Sequence, residues 1–119
     1  VWARLSTHWY ADARVLNLSR DAELFFVRAI AWCKELLTDG VVPRAAVRLF
    51  DHKLDQDGEA CAAELVKQGL WEPLDDGWRF PPATWARWQG TRAEVEVRRV
   101  AEADRKRAYR AQRKADGAP

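Results

Sequence analysis

The residues most able to act on a partner are cations. The run Arg105-Lys106-Arg107-Ala108-Tyr109-Arg110-Ala111-Gln112-Arg113-Lys114 carries six positive charges and no acid, and guanidinium and ammonium groups in such density neutralise phosphates rather than make or break bonds. Arg98 and Arg99 extend the run upstream, and Tyr109 offers a ring on which a base can stack. With six of these groups engaged, the logarithm of affinity would fall against the logarithm of salt with a slope of about −5. Lys67 and Arg79 complete the expected DNA contacts. Trp71 and Trp78 flank Arg79's hairpin, but alternation along a short strand turns such rings toward the core, and they are assigned there.

Covalent chemistry finds little support. His8 and His52 stand apart from any ligand set, and Cys33 and Cys61 lack both C-x-x-C and Cys/His spacing. Both thiols read as small core hydrophobes in a reducing cytoplasm. There is no glycine-rich phosphate loop, no carboxylate pair set apart from ordinary surface acids, and no nucleophile-like setting for Ser6 or Ser19. The expectation is a non-enzyme without catalytic residues, cofactor or metal.

The charge is lopsided. Residues 1–90 hold eleven cations against thirteen acids, a net −2, while residues 91–119 hold nine against five, a net +4. A polyanion would therefore meet the C-terminal end first. The 119 residues, 48% hydrophobic and with seven Trp, suffice for one core rather than two. The N-terminal residues lack the basic-then-apolar pattern of a leader, and no apolar stretch approaches the roughly 20 residues of a membrane span. The expected setting is cytoplasmic and nucleoid-associated, with DNA and not a membrane as partner.

The elements that would position these charges follow from periodicity. Trp2 to Leu5 alternates as a short strand does, and a short helix is expected from Ala11 to Leu18. Ser19 caps a long helix with Asp21 and Glu23 in its first turn. Phe26, Ile30, Cys33 and Leu37 form one face of it, Ala29 and Leu36 lie beside them, and Gly40 ends it. Val41 and Val42 supply one or two strand residues, and Pro43 suits the first position of a helix to about Phe50. After a polar turn over residues 51–58, Asp55 or Asp57 caps a second short helix, on which Cys61, Leu65 and Gln68 share a side and which Gly69 stops.

Leu74-Asp75-Asp76-Gly77 then joins two aromatic-rich strands, with Pro73 confining its strand to an edge. The expected partner of this hairpin is the strand at Trp2 to Leu5. Trp85 and Trp88 fold back over the core. Thr91-Arg92-Ala93-Glu94 fits a capping box that starts a helix running into the basic segment. Helical spacing spreads the cations around that cylinder. Val97, Val100, Ala101 and Ala108 make a weak apolar seam that Asp104 interrupts, and it either pairs two chains as a homodimer or packs back on the domain.

Strand, helix, long helix, two short helices and hairpin is the succession of a winged helix-turn-helix domain. The expected fold is mainly α with a small β wing: residues 1–90 form the winged helix-turn-helix domain and residues 91–119 a basic C-terminal helix and tail. The turn between the tandem helices is longer than the usual 3 to 4 residues. The pattern Trp2-Ala3-Arg4-Leu5, Leu36-Leu37-Thr38-Asp39-Gly40, Gly69-Leu70-Trp71-Glu72, Gly77-Trp78-Arg79 and Arg92-Ala93-Glu94-Val95-Glu96, leading into a Lys/Arg-rich helix, resembles a family of actinobacterial phages and prophages. Its members are described as winged helix-turn-helix DNA-binding or replication-initiator-like (replisome-organiser) proteins. Trp85 to Thr91 departs from the Asn-Pro-Ser ending common in similar sequences, while keeping a capping residue at Thr91. The resemblance implies a role at phage DNA in replication or transcriptional control.

One feature opposes the orthodox mode. The outer positions of the second tandem helix, Asp57, Glu59, Ala63, Glu64 and Lys67, include three acids, which phosphates repel. The alternative is accordingly a protein-interaction module whose acidic helix-turn-helix face, residues 51–64, docks a host or replication protein.

Overall fold

The computed structural model describes residues 2–117. The expectations for Val1 in the first segment and for Ala118 and Pro119 in the second lie outside the described residues. The chain is mainly helical with a small three-stranded antiparallel sheet. A short 3-10 turn Trp9–Ala11 leads into α1 (Ala13–Leu16), followed by α2 (Arg20–Leu36), β1 (Val41–Pro43), a 3-10 helix Arg44–Leu49 and α3 (Gly58–Lys67). The hairpin β2 (Glu72–Leu74) and β3 (Gly77–Arg79), then α4 (Pro82–Gln89) and α5 (Arg92–Asp116), complete the order.

α2 is the spine. Ser19 Oγ accepts from the Ala22 amide at 3.1 Å, and Asp21 and Glu23 occupy the first turn. Ala22, Phe25, Phe26, Ala29, Ile30 and Cys33 are buried, a spacing of three and four residues that puts one stripe against the core. Burial of each large side chain stabilises by about 1.5–3 kcal/mol. The helix ends earlier than expected: Leu37 turns left-handed at φ 54°, so Leu36 is exposed and the apolar face stops at Cys33.

Around this stripe the aromatic rings interlock. Phe25 meets Phe50 edge-on at 5.5 Å and Trp71 at 5.6 Å, and Phe80 lies 5.5 Å from Trp71 and 4.8 Å from Trp85. Trp71 and Trp78 are both buried, as the alternation of the hairpin requires. Trp85 covers the core from α4, whereas Trp88, expected beside it, is 41% exposed. α4 itself was not expected as a helix. Pro82 in its first turn, where no intrahelical amide is needed, allows it to form.

The sheet corrects the sequence reading at one point. Trp2–Leu5 forms no strand, and Trp2 is 88% exposed. Its expected place is taken by β1, which pairs with β3 through Val41↔Arg79, Val42↔Trp78 and Pro43↔Gly77, while β2 takes the other side of β3. With β1 and β2 on either side of β3, the place beside the central strand is taken. β1 passes so close to Gly77, at φ 154°, that a Cβ there would collide with the Val42 carbonyl oxygen, so only glycine fits. Pro73 lies on the edge strand, where its missing amide costs no pairing.

Pro43 is likewise the last residue of a strand rather than the first of an α-helix. Its ψ of 148° is claimed by the pairing, and the next six residues wind as a 3-10 helix that buries Ala46 and Val47. The long turn to α3 is held by side chains: Arg28 donates to the carbonyls of Phe50 and His52 at 2.8 Å, and Asp21 accepts the amides of Asp55 and Gln56 at 2.9 Å. Asp57, of the two candidates, caps α3 by accepting from Ala60 at 2.8 Å.

Candidate nucleic-acid interface

α5 begins where the sequence places it. Thr91 Oγ1 accepts from Glu94 N at 3.2 Å, and the Glu94 carboxylate accepts from Thr91 N at 3.3 Å, a complete capping box. Arg92 N donates to Asp39 Oδ1 at 2.6 Å and so ties the first turn to the loop after α2. Beyond that turn the helix leaves the body. Val95 is its one buried residue, and 25 residues at 1.5 Å each extend it to about 37 Å.

Along this cylinder the cations are spread over a little more than half of the circumference rather than gathered in a single narrow stripe. At about 100° per residue, all nine fall within an arc of about 200°. Arg92, Arg99, Lys106 and Arg113 recur every seven residues, with Arg110 between the last two, Arg107 and Lys114 on one flank and Arg98 and Arg105 on the other. The remaining arc of about 160° carries Ala93, Val97, Val100, Ala101, Asp104, Ala108, Ala111 and Ala115 and no cation. Tyr109 is exposed and shares a shallow cleft with Arg105, Lys106, Arg110 and Arg113.

Exposed ion pairs occupy some of these groups: Arg92 with Glu96 at 3.0 Å, Arg105 with Glu102 at 3.6 Å, and Arg107 with Asp104. Such pairs are worth about 0–1 kcal/mol and yield readily to a phosphate. The ion pairs of the described residues leave out Arg98, Arg99, Lys106, Arg110, Arg113 and Lys114. The seam does not pack back on the domain, since Val97 is 70% and Val100 61% exposed.

The other expected contacts sit on the body. Lys67 is exposed in the last turn of α3, where its charge complements the helix dipole. Arg79 bonds its cross-strand neighbour Glu72 at 2.7 Å and is half-buried. The acids of the tandem-helix region are largely engaged within the chain. Glu64 accepts both the Ser19 amide at 2.9 Å and the Ser19 hydroxyl at 2.6 Å. Glu59 holds Arg44 at 2.6 Å, Asp51 accepts from Gly58 N at 2.9 Å, and Asp57 is the cap of α3.

Two cations escaped the sequence reading because chain folding alone brings them to α5. Gln89, buried at the end of α4, accepts from Lys34 Nζ with its carbonyl, accepts the Arg4 amide at 2.9 Å with Oε1, and donates from Nε2 to the Arg4 carbonyl at 2.5 Å. A Cβ at the adjoining Gly90 would lie 3.2 Å from Arg98 Nη2. The Lys34 ammonium is held below its ordinary value by burial and then by Arg98, Arg4 and Arg99, with Glu94 opposing. Arg92 was also missed, although its seven-residue spacing from Arg99 is legible in the sequence.

A mostly apolar cleft of about 180 Å³ between Leu5, Trp9, Phe26, Trp85 and Trp88 is below the ~300–1,000 Å³ usual for small-molecule sites. Among the described residues no group of three or more His, Cys, Asp or Glu could hold a metal ion, and no helix is long and apolar enough to cross a membrane. No family model, no curated protein and no solved structure matches the chain.

Proposed function

We propose that this chain binds duplex DNA as a winged helix-turn-helix protein of phage or prophage type, acting at the nucleoid in replication or transcriptional control, with α5 as its principal phosphate contact. The observation that carries the reading is the one-sided cationic surface of α5, which protrudes from the body and bears a seven-residue repeat of Arg and Lys. Phosphodiester backbones are the polyanions such a surface fits, because neutralising them releases condensed counterions. The body supports the fold half of the proposal. Helix, strand, two short helices and hairpin follow in order, and the last strand lies at the centre of the sheet with the first beside it.

The alternative of an acidic face docking a protein has weaker support. Glu64, Glu59, Asp51 and Asp57 already satisfy partners in this chain and are not displayed as a free acidic patch. Lys67 and Arg79 are assigned auxiliary contacts, and pairing of two chains along the exposed Val97 and Val100 belongs to the same proposal. The test is fluorescence anisotropy of the full chain with duplex and single-stranded DNA over a salt series. A logarithmic slope of about −5 is expected if six phosphates are neutralised. Absence of binding at low salt would overturn the reading.

A further inference from the structure

We infer that duplex DNA is gripped at two separate phosphate-binding clusters, an outer one on α5 from Arg105 to Lys114 and an inner one on the body, where Arg4, Lys34 and Arg98 gather around Gln89 and Gly90; the inference rests on the DNA-binding reading above. The inner cluster is assembled from three distant stretches of chain. Gln89 fastens the backbone of Arg4 on one side and the ammonium of Lys34 on another. The first turns of α5 bring Arg98 against the neighbouring glycine.

Bringing like charges together opposes folding unless something compensates. Glu94 opposes the cations around Lys34, and its carboxylate is also engaged by the amide of Thr91. The net positive charge of the cluster is therefore left for an external anion. Arg4 lends itself to that role because its hydrogen bonds to Gln89 run through the backbone, leaving the guanidinium to reach outward from an exposed residue.

The clusters are divided by a stretch of different character. Val100-Ala101-Glu102-Ala103-Asp104 contains no cation, and its two acids draw Arg105 and Arg107 toward themselves. Cluster centres roughly 11 residues apart on a helix lie about 16 Å apart along its axis. A duplex has phosphate rows on both sides of a major groove about 12 Å wide, so the two clusters can rest on opposite strands. A single strand holds no second row at a fixed separation. The partner favoured is therefore duplex rather than single-stranded DNA.

The deciding experiment measures anisotropy of the full chain with a short mixed-sequence duplex and with one of its strands, across a salt series. Two triple variants are compared with the parent: R4Q/K34Q/R98Q for the inner cluster and R110Q/R113Q/K114Q for the outer. Each is expected to weaken duplex binding by about tenfold or more at low salt and to flatten the salt slope by about 2 to 3. The inner variant should also lose most of the preference for duplex over single strand.

If the parent and the inner variant share one slope while the outer variant loses binding, the DNA reading stands and the second cluster is overturned. If the parent fails to bind duplex at low salt, both fall. Lys34 also bonds Gln89, so R4Q/R98Q serves as the variant that spares this contact. Its slope must flatten by about 2, and an unchanged slope in it overturns the inference whatever the triple variant does.

Discussion

The body and α5 use charge in opposite ways. In the body, acids serve the fold: Glu64 holds Ser19, Asp21 holds the turn before α3, Asp57 caps it, and Glu72 holds Arg79. In α5 the described residues bury one side chain, Val95, and the cations run along one side of an exposed cylinder. The body has a core that makes internal polar bonds worthwhile, because groups shielded from water lose more when left unpaired. α5 has almost no core, so its stability is local and its charges are directed to what lies outside.

The local sources of that stability are identifiable. Isolated helices are marginal in water below about 12–15 residues, and α5 exceeds this with 25. Ala, Arg, Glu, Lys and Gln dominate it, all strong helix formers. The capping box secures its start, and the ion pair Arg92–Glu96 spans one turn.

The contrast can be broken most sharply from the body. Trp71→Ala removes the largest fully buried side chain and is expected to cost about 3–5 kcal/mol. Chemical denaturation followed by tryptophan fluorescence would show it, while the far-ultraviolet signal of α5 should largely persist. Loss of both signals together would mean that α5 depends on the core after all. Trp71→Phe should cost much less, since the buried indole N–H finds no hydrogen-bond partner among the described residues.

Glu64→Ala tests whether the acids of the body are structural. It strands the Ser19 amide and hydroxyl, with an expected loss of about 1–3 kcal/mol in the urea midpoint analysis. A neutral result would return Glu64 to the surface and revive the acidic docking face. Thr91→Ala addresses the other region. It removes half of the capping box and should cost about 1 kcal/mol, read as lower helicity by circular dichroism with an unchanged fluorescence of the core tryptophans.

The smallest expected effect is alkaline. Burial pushes both the Cys33 and Cys61 thiols from 9.0 up to about 11. Between these values the unfolded chain ionises first and binds fewer protons than the folded one, so stability should decline as pH rises from about 9 to 11. Below 9 this contribution is fully present. Parallel urea titrations on either side of that window check the sign, and slow reaction of both thiols with a disulfide reagent in the native state checks the cause.

Much of the secondary structure was legible in the sequence because its signals are local. Ser19, Asp57 and Thr91 each precede a helix with a side chain able to accept a nearby amide, and each does so. Asp76-Gly77 marked the hairpin, since an Asp-Gly pair suits a tight turn. The strand expected at Trp2 to Leu5 failed for a reason no local signal contains: the pairing site beside β3 was already filled by β1.

The candidate interface divides along the same line. The amino-acid sequence by itself determined the cationic run from Arg105 to Lys114 and its helical frame, because charge, capping and a seven-residue spacing are properties of neighbours along the chain. Folding alone decided that Arg4 and Lys34 stand beside Arg98 at Gln89, that Arg79 is claimed by Glu72, and that Glu64 serves Ser19. Those contacts join residues far apart in sequence, and they exist because burying the aromatic core fixes where the surrounding backbone must pass.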